Sequence, residues 1–113
     1  TLSLHDALPI SDPAGDPRPD AIPRATLWYS ALTVAVTMPF IGGAHPGAGP
    51  LEDRHYDQLR HACQWLRRRR MLYVDFRRDN VLLDGDRLYL LDYDDCAVFD
   101  HDFAEAEVPR VLH

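Results

Sequence analysis

Apolar and polar positions follow two different periods in the second half of the chain, and the change of period marks its elements. In residues 51–70, LEDRHYDQLRHACQWLRRRR, Tyr56, Leu59, Ala62, Cys63 and Leu66 recur at three- and four-residue spacing. That spacing lines one face of a helix. Glu52, Asp53 and Asp57 stand near its start and Arg67, Arg68, Arg69 and Arg70 at its end, both favourable to the helix dipole. The pattern predicts a helix over 51–70. Further on, Val81-Leu82-Leu83 and Leu88-Tyr89-Leu90-Leu91 flank Asp84-Gly85-Asp86. Two short apolar runs about an Asp-Gly turn predict a hairpin, with strands near 81–83 and 87–91. The expected core is Leu59, Cys63, Leu66, Val81, Leu83, Leu88 and Leu90. Pattern alone does not fix the buried strand face, so Leu82, Tyr89 and Leu91 are the alternatives.

The first half is less periodic. Residues 26–41, TLWYSALTVAVTMPFI, hold the densest run of β-branched and aromatic side chains, which predicts a strand pair, or a bend and one strand, ended by Pro39. Residues 42–50, GGAHPGAGP, read as a flexible turn with His45 in solvent. No G-x-x-x-x-G-K pattern makes this a phosphate loop. Residues 11–25 contain four prolines, which fix φ and remove donors, so a disordered linker is expected. Thr1–Ile10, TLSLHDALPI, resembles one reading frame of a short-read sequencing adapter. The expectation is an artefactual segment on a chain cut at its N-terminal side, giving a loose 1–25 and a partial domain over 26–113.

Composition narrows the function. The chain has 113 residues, 46% of them hydrophobic, enough for one small domain. Net charge is −6, which disfavours a nucleic-acid surface, and the arginine run reads as a charged helix end. All 12 basic residues are Arg. Cys63 and Cys96 do not suggest a disulfide framework, so a reducing, cytoplasmic setting is the default. His55, His61 and Cys63 lack zinc-site spacing. The best apolar run, 27–41, holds Ser30, two Thr and Pro39 and falls short of the roughly 20 residues a membrane span needs. No membrane or nucleic-acid partner is expected, and oligomeric state stays open.

The hairpin also organises the chemistry. Asp75 and Asn80 precede its first strand and Asp92 follows its second. Antiparallel pairing makes those ends neighbours, bringing two carboxylates and an amide oxygen together. Mg²⁺ takes oxygen ligands, usually one or two carboxylates beside substrate phosphate. The sequence D-x-x-x-x-N in Asp75–Asn80, a hairpin, and then Asp92-Tyr93-Asp94 resembles the catalytic half of the protein-kinase-like fold. Asp92-Tyr93-Asp94-Asp95-Cys96 looks closer to its aminoglycoside- and homoserine-kinase-like phosphotransferase branch. Tyr73 and Val74 depart from it, standing where the family loop has His and Arg.

The resemblance implies an α+β, partial kinase-like fold: a hinge strand, one long helix and a catalytic-loop hairpin, without most of the small lobe or the lower helical lobe. It implies Asp75 as general base, Arg77 toward the transferred phosphate, and Asn80 and Asp92 on metal. Met38-Pro39-Phe40-Ile41-Gly42-Gly43 resembles the hinge, so adenine would lie by Met38, Phe40 and Ile41. ATP and Mg²⁺ are the implied cofactors, and a hydroxyl-bearing small molecule or protein the acceptor. Asp102-Phe103-Ala104 resembles the start of the family's next helix, whose Asp bonds the catalytic loop. Lacking the Gly-rich loop and its Lys, the fragment is expected to be inactive or nearly so. Two other readings are a non-catalytic, pseudokinase-like interaction module and an acidic metal-binding domain using Asp92, Asp94, Asp95, Asp100 and Asp102.

Overall fold

Helix α1 spans Asp53–Arg68, inside the 51–70 expected from periodicity. Its buried residues are His55, Leu59, Ala62, Trp65 and Leu66, while Tyr56 and Cys63 are half-buried against the same core. The buried stripe is therefore rotated toward Trp65 relative to the one read from the pattern. In the computed structural model the backbone is described for residues 5–6, 16–29 and 34–113, and side chains for 16–25 and 37–113. The helix stops without a glycine. Arg70 takes a left-handed φ of 60°, and its amide donates to the Arg67 carbonyl at 2.8 Å. A non-glycine residue there costs roughly 1–2 kcal/mol. The Arg70 carbonyl accepts from Phe99 N at 2.9 Å and its Nε donates to Asp102 at 3.1 Å, which offset that cost.

Strands β1 (His5–Asp6), β2 (Thr26–Tyr29) and β3 (Val34–Thr37) form one antiparallel sheet in that order. The 26–41 stretch is thus a strand pair. Strand β4 (Met71–Leu72) pairs with β7 (Ala97–Val98). Between them lies the hairpin, β5 (Val81–Asp84) and β6 (Arg87–Leu90), with Val81 opposite Leu90 and Asp84 opposite Arg87. Gly85 carries the positive φ of its two-residue turn, 62°, as primed hairpin turns require. Val81, Leu88 and Leu90 are buried and Leu83 packs partly against them. This is the first of the two faces the pattern allowed, and α1 packs on β6.

Both edges of the hairpin are occupied. Along β6, Leu88 N donates to the Gln58 side chain at 2.9 Å and Leu90 N to the Ala21 carbonyl at 2.7 Å. Gln58 Nε2 also donates to Asp86 O, and buried His55 donates from Nε2 to Gly85 O at 3.0 Å, so α1 grips the turn. Along β5, Ala44 and Leu83 exchange amide–carbonyl bonds of 3.0 and 2.8 Å.

Residues 16–25 have no strand or helix, as prolines dictate, yet they are not the loose tether expected of 1–25. Ile22 is fully buried in the core with Ala21, and Ala25 is buried too. Trp65 Nε1 donates to Asp16 O at 3.0 Å, and Arg68 grips the Asp16 carboxylate through two bonds of 3.0 and 2.9 Å. The remainder of that stretch, residues 1–4 and 7–15, lies outside the described residues. Asp102 pairs with Arg70 and not with the loop at 75–80, and no helix follows it: residues 101–109 are irregular. The last residues return to the core. Leu112 is buried, Leu51 N donates to Arg110 O at 2.9 Å, and His113 bonds Phe76 and Arg78 through its backbone. The result is a small α+β domain. Among the described residues no helix is long and apolar enough to cross a membrane.

Candidate functional site

Leaving β4, the chain turns Tyr73 inward, 3% exposed, and Val74 outward. Asp75 follows. The loop closes through Arg77 N to Asp75 O at 2.8 Å and Asn80 N to Arg77 O at 2.9 Å, the second within a short 3-10 turn at Arg78–Asn80. Asn80 is buried and donates from Nδ2 to the Asp75 carbonyl at 2.9 Å. A carbonyl only accepts, so this bond fixes the amide orientation and makes Oδ1 the atom with ligand capacity. Arg77 Nε meets the Asp75 carboxylate at 2.9 Å.

The other side of the site is built by Leu91 and Asp92. Leu91 N donates to Asn80 O at 2.7 Å, one step beyond the β5–β6 ladder. The Tyr73 hydroxyl donates to Leu91 O at 2.5 Å. Held at both groups, Leu91 delivers Asp92 in a left-handed conformation, φ 57°, with its carboxylate accepting from Asp94 N at 3.2 Å. Asp tolerates this region better than most residues, and such outliers concentrate where a surrounding structure enforces them. The Tyr73 ring packs on Phe76 and, edge-on, on Tyr93 at centroid distances of 5.2 and 5.5 Å.

Electrostatics ties the two sides together. Burial pushes the Tyr73 hydroxyl well above the usual phenol range, and the charges of Asp75, Cys96 and Asp92 push it further. Both carboxylates therefore act on one buried hydroxyl. Burial also raises Tyr93, whose hydroxyl donates to Leu90 O at 2.7 Å. Cys96 is pushed up to about 11 by burial, then by Asp92 and Asp95, and Cys63 up to about 12 by burial.

Asp75, Asn80 and Asp92 thus share the open end of the hairpin. Met38, Phe40 and Ile41 do not join them. Phe40 and Ile41, with Pro39 and Gly42, face Arg18, Arg24, Arg87 and Tyr89 across an open cavity of about 440 Å³ near the turn end. Phe40 is 96% exposed, and Met38 is half-exposed and outside that lining. The two places are separated by the length of β5, about 13 Å for four residues. The donor set at the open end is all oxygen and suits Mg²⁺. Among the described residues no three His, Cys, Asp or Glu side chains gather as ligands. Of the acids in the alternative metal reading, Asp100 is held by His101 at 2.7 Å and Asp102 by Arg70.

Two features escaped the sequence reading. The Tyr73 hydroxyl link depends on packing from three elements and leaves no local pattern. Gly43 did leave one, as half of a Gly-Gly pair. Its φ is 128°, and a Cβ there would lie 2.5 Å from Leu83 O, so only glycine lets the 42–45 loop close on β5. Comparison with known proteins returns no match: no family model, no curated protein and no solved structure is significantly similar to the chain.

Proposed function

We propose that the chain is part of an ATP-dependent phosphotransferase that moves a γ-phosphoryl group to a hydroxyl of a small molecule or protein. The observation that carries the reading is the common attachment of Asp75, Asn80 and Asp92 to one end of the hairpin through Tyr73 and Leu91. Asp75 accepts the acceptor's hydroxyl proton, help typically worth roughly 10²–10⁴-fold. Asp92 and the Asn80 Oδ1 hold Mg²⁺, which when bound neutralises charge on the phosphates. Arg77 moves from Asp75 to the transferred phosphate. The open cavity at the turn end takes the base of the nucleotide, and the spacing from it to Asp92 suits a molecule as long as ATP.

Two carboxylates at one end of a hairpin repel unless a cation lies between them. Titration with Mn²⁺, followed by paramagnetic broadening, tests the site. Asp92→Asn is expected to weaken binding most, Asn80→Ala less and Asp75→Asn least, since a base need not ligate metal. Wild-type affinity in Asp92→Asn defeats the proposal.

The Asp75–Arg77 ion pair favours a second reading, a non-catalytic scaffold, because it occupies the base. A longer reading frame encoding a Gly-rich loop and a strand Lys upstream favours the enzyme; one without them favours the scaffold.

A further inference from the structure

A cavity of about 420 Å³ opens between α1, β4 and the irregular segment 103–108. None of Asp75, Asn80 and Asp92 lines it, so it lies outside the site already described. On α1 its wall is Tyr56, Arg60, Cys63 and Arg67, whose three- and four-residue spacing makes one helix face. Arg67 is half-buried, and its Nε donates to Phe103 O at 3.1 Å. Its neighbours in the arginine run hold carboxylates, Arg68 and Arg69 that of Asp16 and Arg70 that of Asp102. Among the described residues Arg67 has no carboxylate partner. A guanidinium taken half out of water against one neutral carbonyl is short of countercharge. With Nε spent, its two Nη groups remain, an end of the fork that takes a carboxylate through two parallel bonds.

The rest of the cavity says what that carboxylate is attached to. Tyr73, Phe76 and Phe103 line it beside Met71. Rings and a thioether favour an aromatic body, through edge-to-face and sulfur contacts. The volume falls within the range of small-molecule sites. Glu105 and Glu107 stand on the facing segment, Glu105 accepting from Gln64 Nε2 at 3.3 Å. Two carboxylates there repel a phosphate dianion more than a single negative charge. Arg60 already leans on its own helix, 3.9 Å from Asp57 and 5.9 Å over the Tyr56 ring, so Arg67 takes that charge. We propose that this cavity binds an aryl monocarboxylate, with its carboxylate on the Arg67 Nη groups and its ring among Tyr73, Phe76 and Phe103. The assignment does not depend on the phosphotransferase reading.

The two methionines, Met71 in the cavity and half-exposed Met38 outside it, make the test local. The chain, labelled with ¹³C in its methionine methyl groups, is titrated with 1-naphthylacetate, with its uncharged isostere 1-naphthylacetamide and with acetate. The acid is expected to move the Met71 methyl resonance and leave Met38 in place. It should bind about ten- to hundredfold more tightly than the amide, the worth of a charged hydrogen bond. Acetate, lacking the ring, leaves both methyls unmoved. In Arg67→Gln, which can still donate to Phe103 O, the acid falls to the affinity of the amide. Unchanged amide binding in that variant shows that the cavity persists. Equal wild-type affinities for acid and amide, or no binding of the acid, overturn the assignment without any variant. A shift at Met38 in place of Met71, acetate binding as tight as that of the aryl acid, or an Arg67→Gln chain that still prefers the acid overturns it as well.

Discussion

The Tyr73 hydroxyl feels two carboxylates and donates to the carbonyl just before one of them. One oxygen thereby couples the loop that carries Asp75 to the residue that presents Asp92. Tyr73→Phe keeps the ring contacts with Phe76 and Tyr93 and removes only that donor, leaving the Leu91 carbonyl unpaired. Urea unfolding is expected to show a loss of about 1–3 kcal/mol, and the Asp92 amide resonance should move. No loss and no shift would mean that Leu91 does not depend on the bond. That Asp75, Asn80 and Asp92 belong to the same end of the hairpin was legible because hairpin topology alone makes the two strand ends neighbours. The left-handed turn at Asp92 was not, since Asp is common in ordinary loops and its φ is set by the bonds on Leu91.

At the scale of elements, α1 and the hairpin were legible because each repeats its own period, and the Asp-Gly turn punctuates the second. Trp65 was missed because a stripe through Tyr56, Cys63 and Leu66 satisfies the same helical spacing. The choice between stripes is made by what packs on the helix, and that is the 16–25 segment, which has no period to read. Trp65 is fully buried, donates to Asp16 O and carries the Arg69 guanidinium 3.6 Å over its ring. Trp65→Ala is expected to cost about 3–5 kcal/mol, measured by denaturant unfolding. A cost below about 1 kcal/mol would place Trp65 outside the core.

Across the whole molecule, the arginine run at the end of α1 acts as a fastener. Arg68 and Arg69 hold Asp16, Arg67 donates to Phe103 O at 3.1 Å and Arg70 holds Asp102. Counting like charges suggests a solvated end; only the fold reveals that distant segments come to meet it. Bonding from Arg68 holds the Asp16 carboxyl below its ordinary 3.8. A carboxyl depressed in the folded state contributes stability above its unfolded value and loses it as pH falls through the folded value. Thermal unfolding from about pH 5 down to about pH 2 should therefore show an acid-side loss below 3.8 that Asp16→Asn diminishes. An identical acid profile in Asp16→Asn would show that the fastening does not depend on that charge.

The hairpin has a further consequence for partners. Leu88 and Leu90 give their amides to Gln58 and Ala21, Leu90 O is taken by Tyr93, and Leu83 is paired with Ala44. An extended peptide joins a sheet by bonding to free main-chain groups at its rim. These rim groups are already bonded within the chain, so a peptide adding to β5 or β6 by β-augmentation would have to displace Ala44, Gln58 or Ala21.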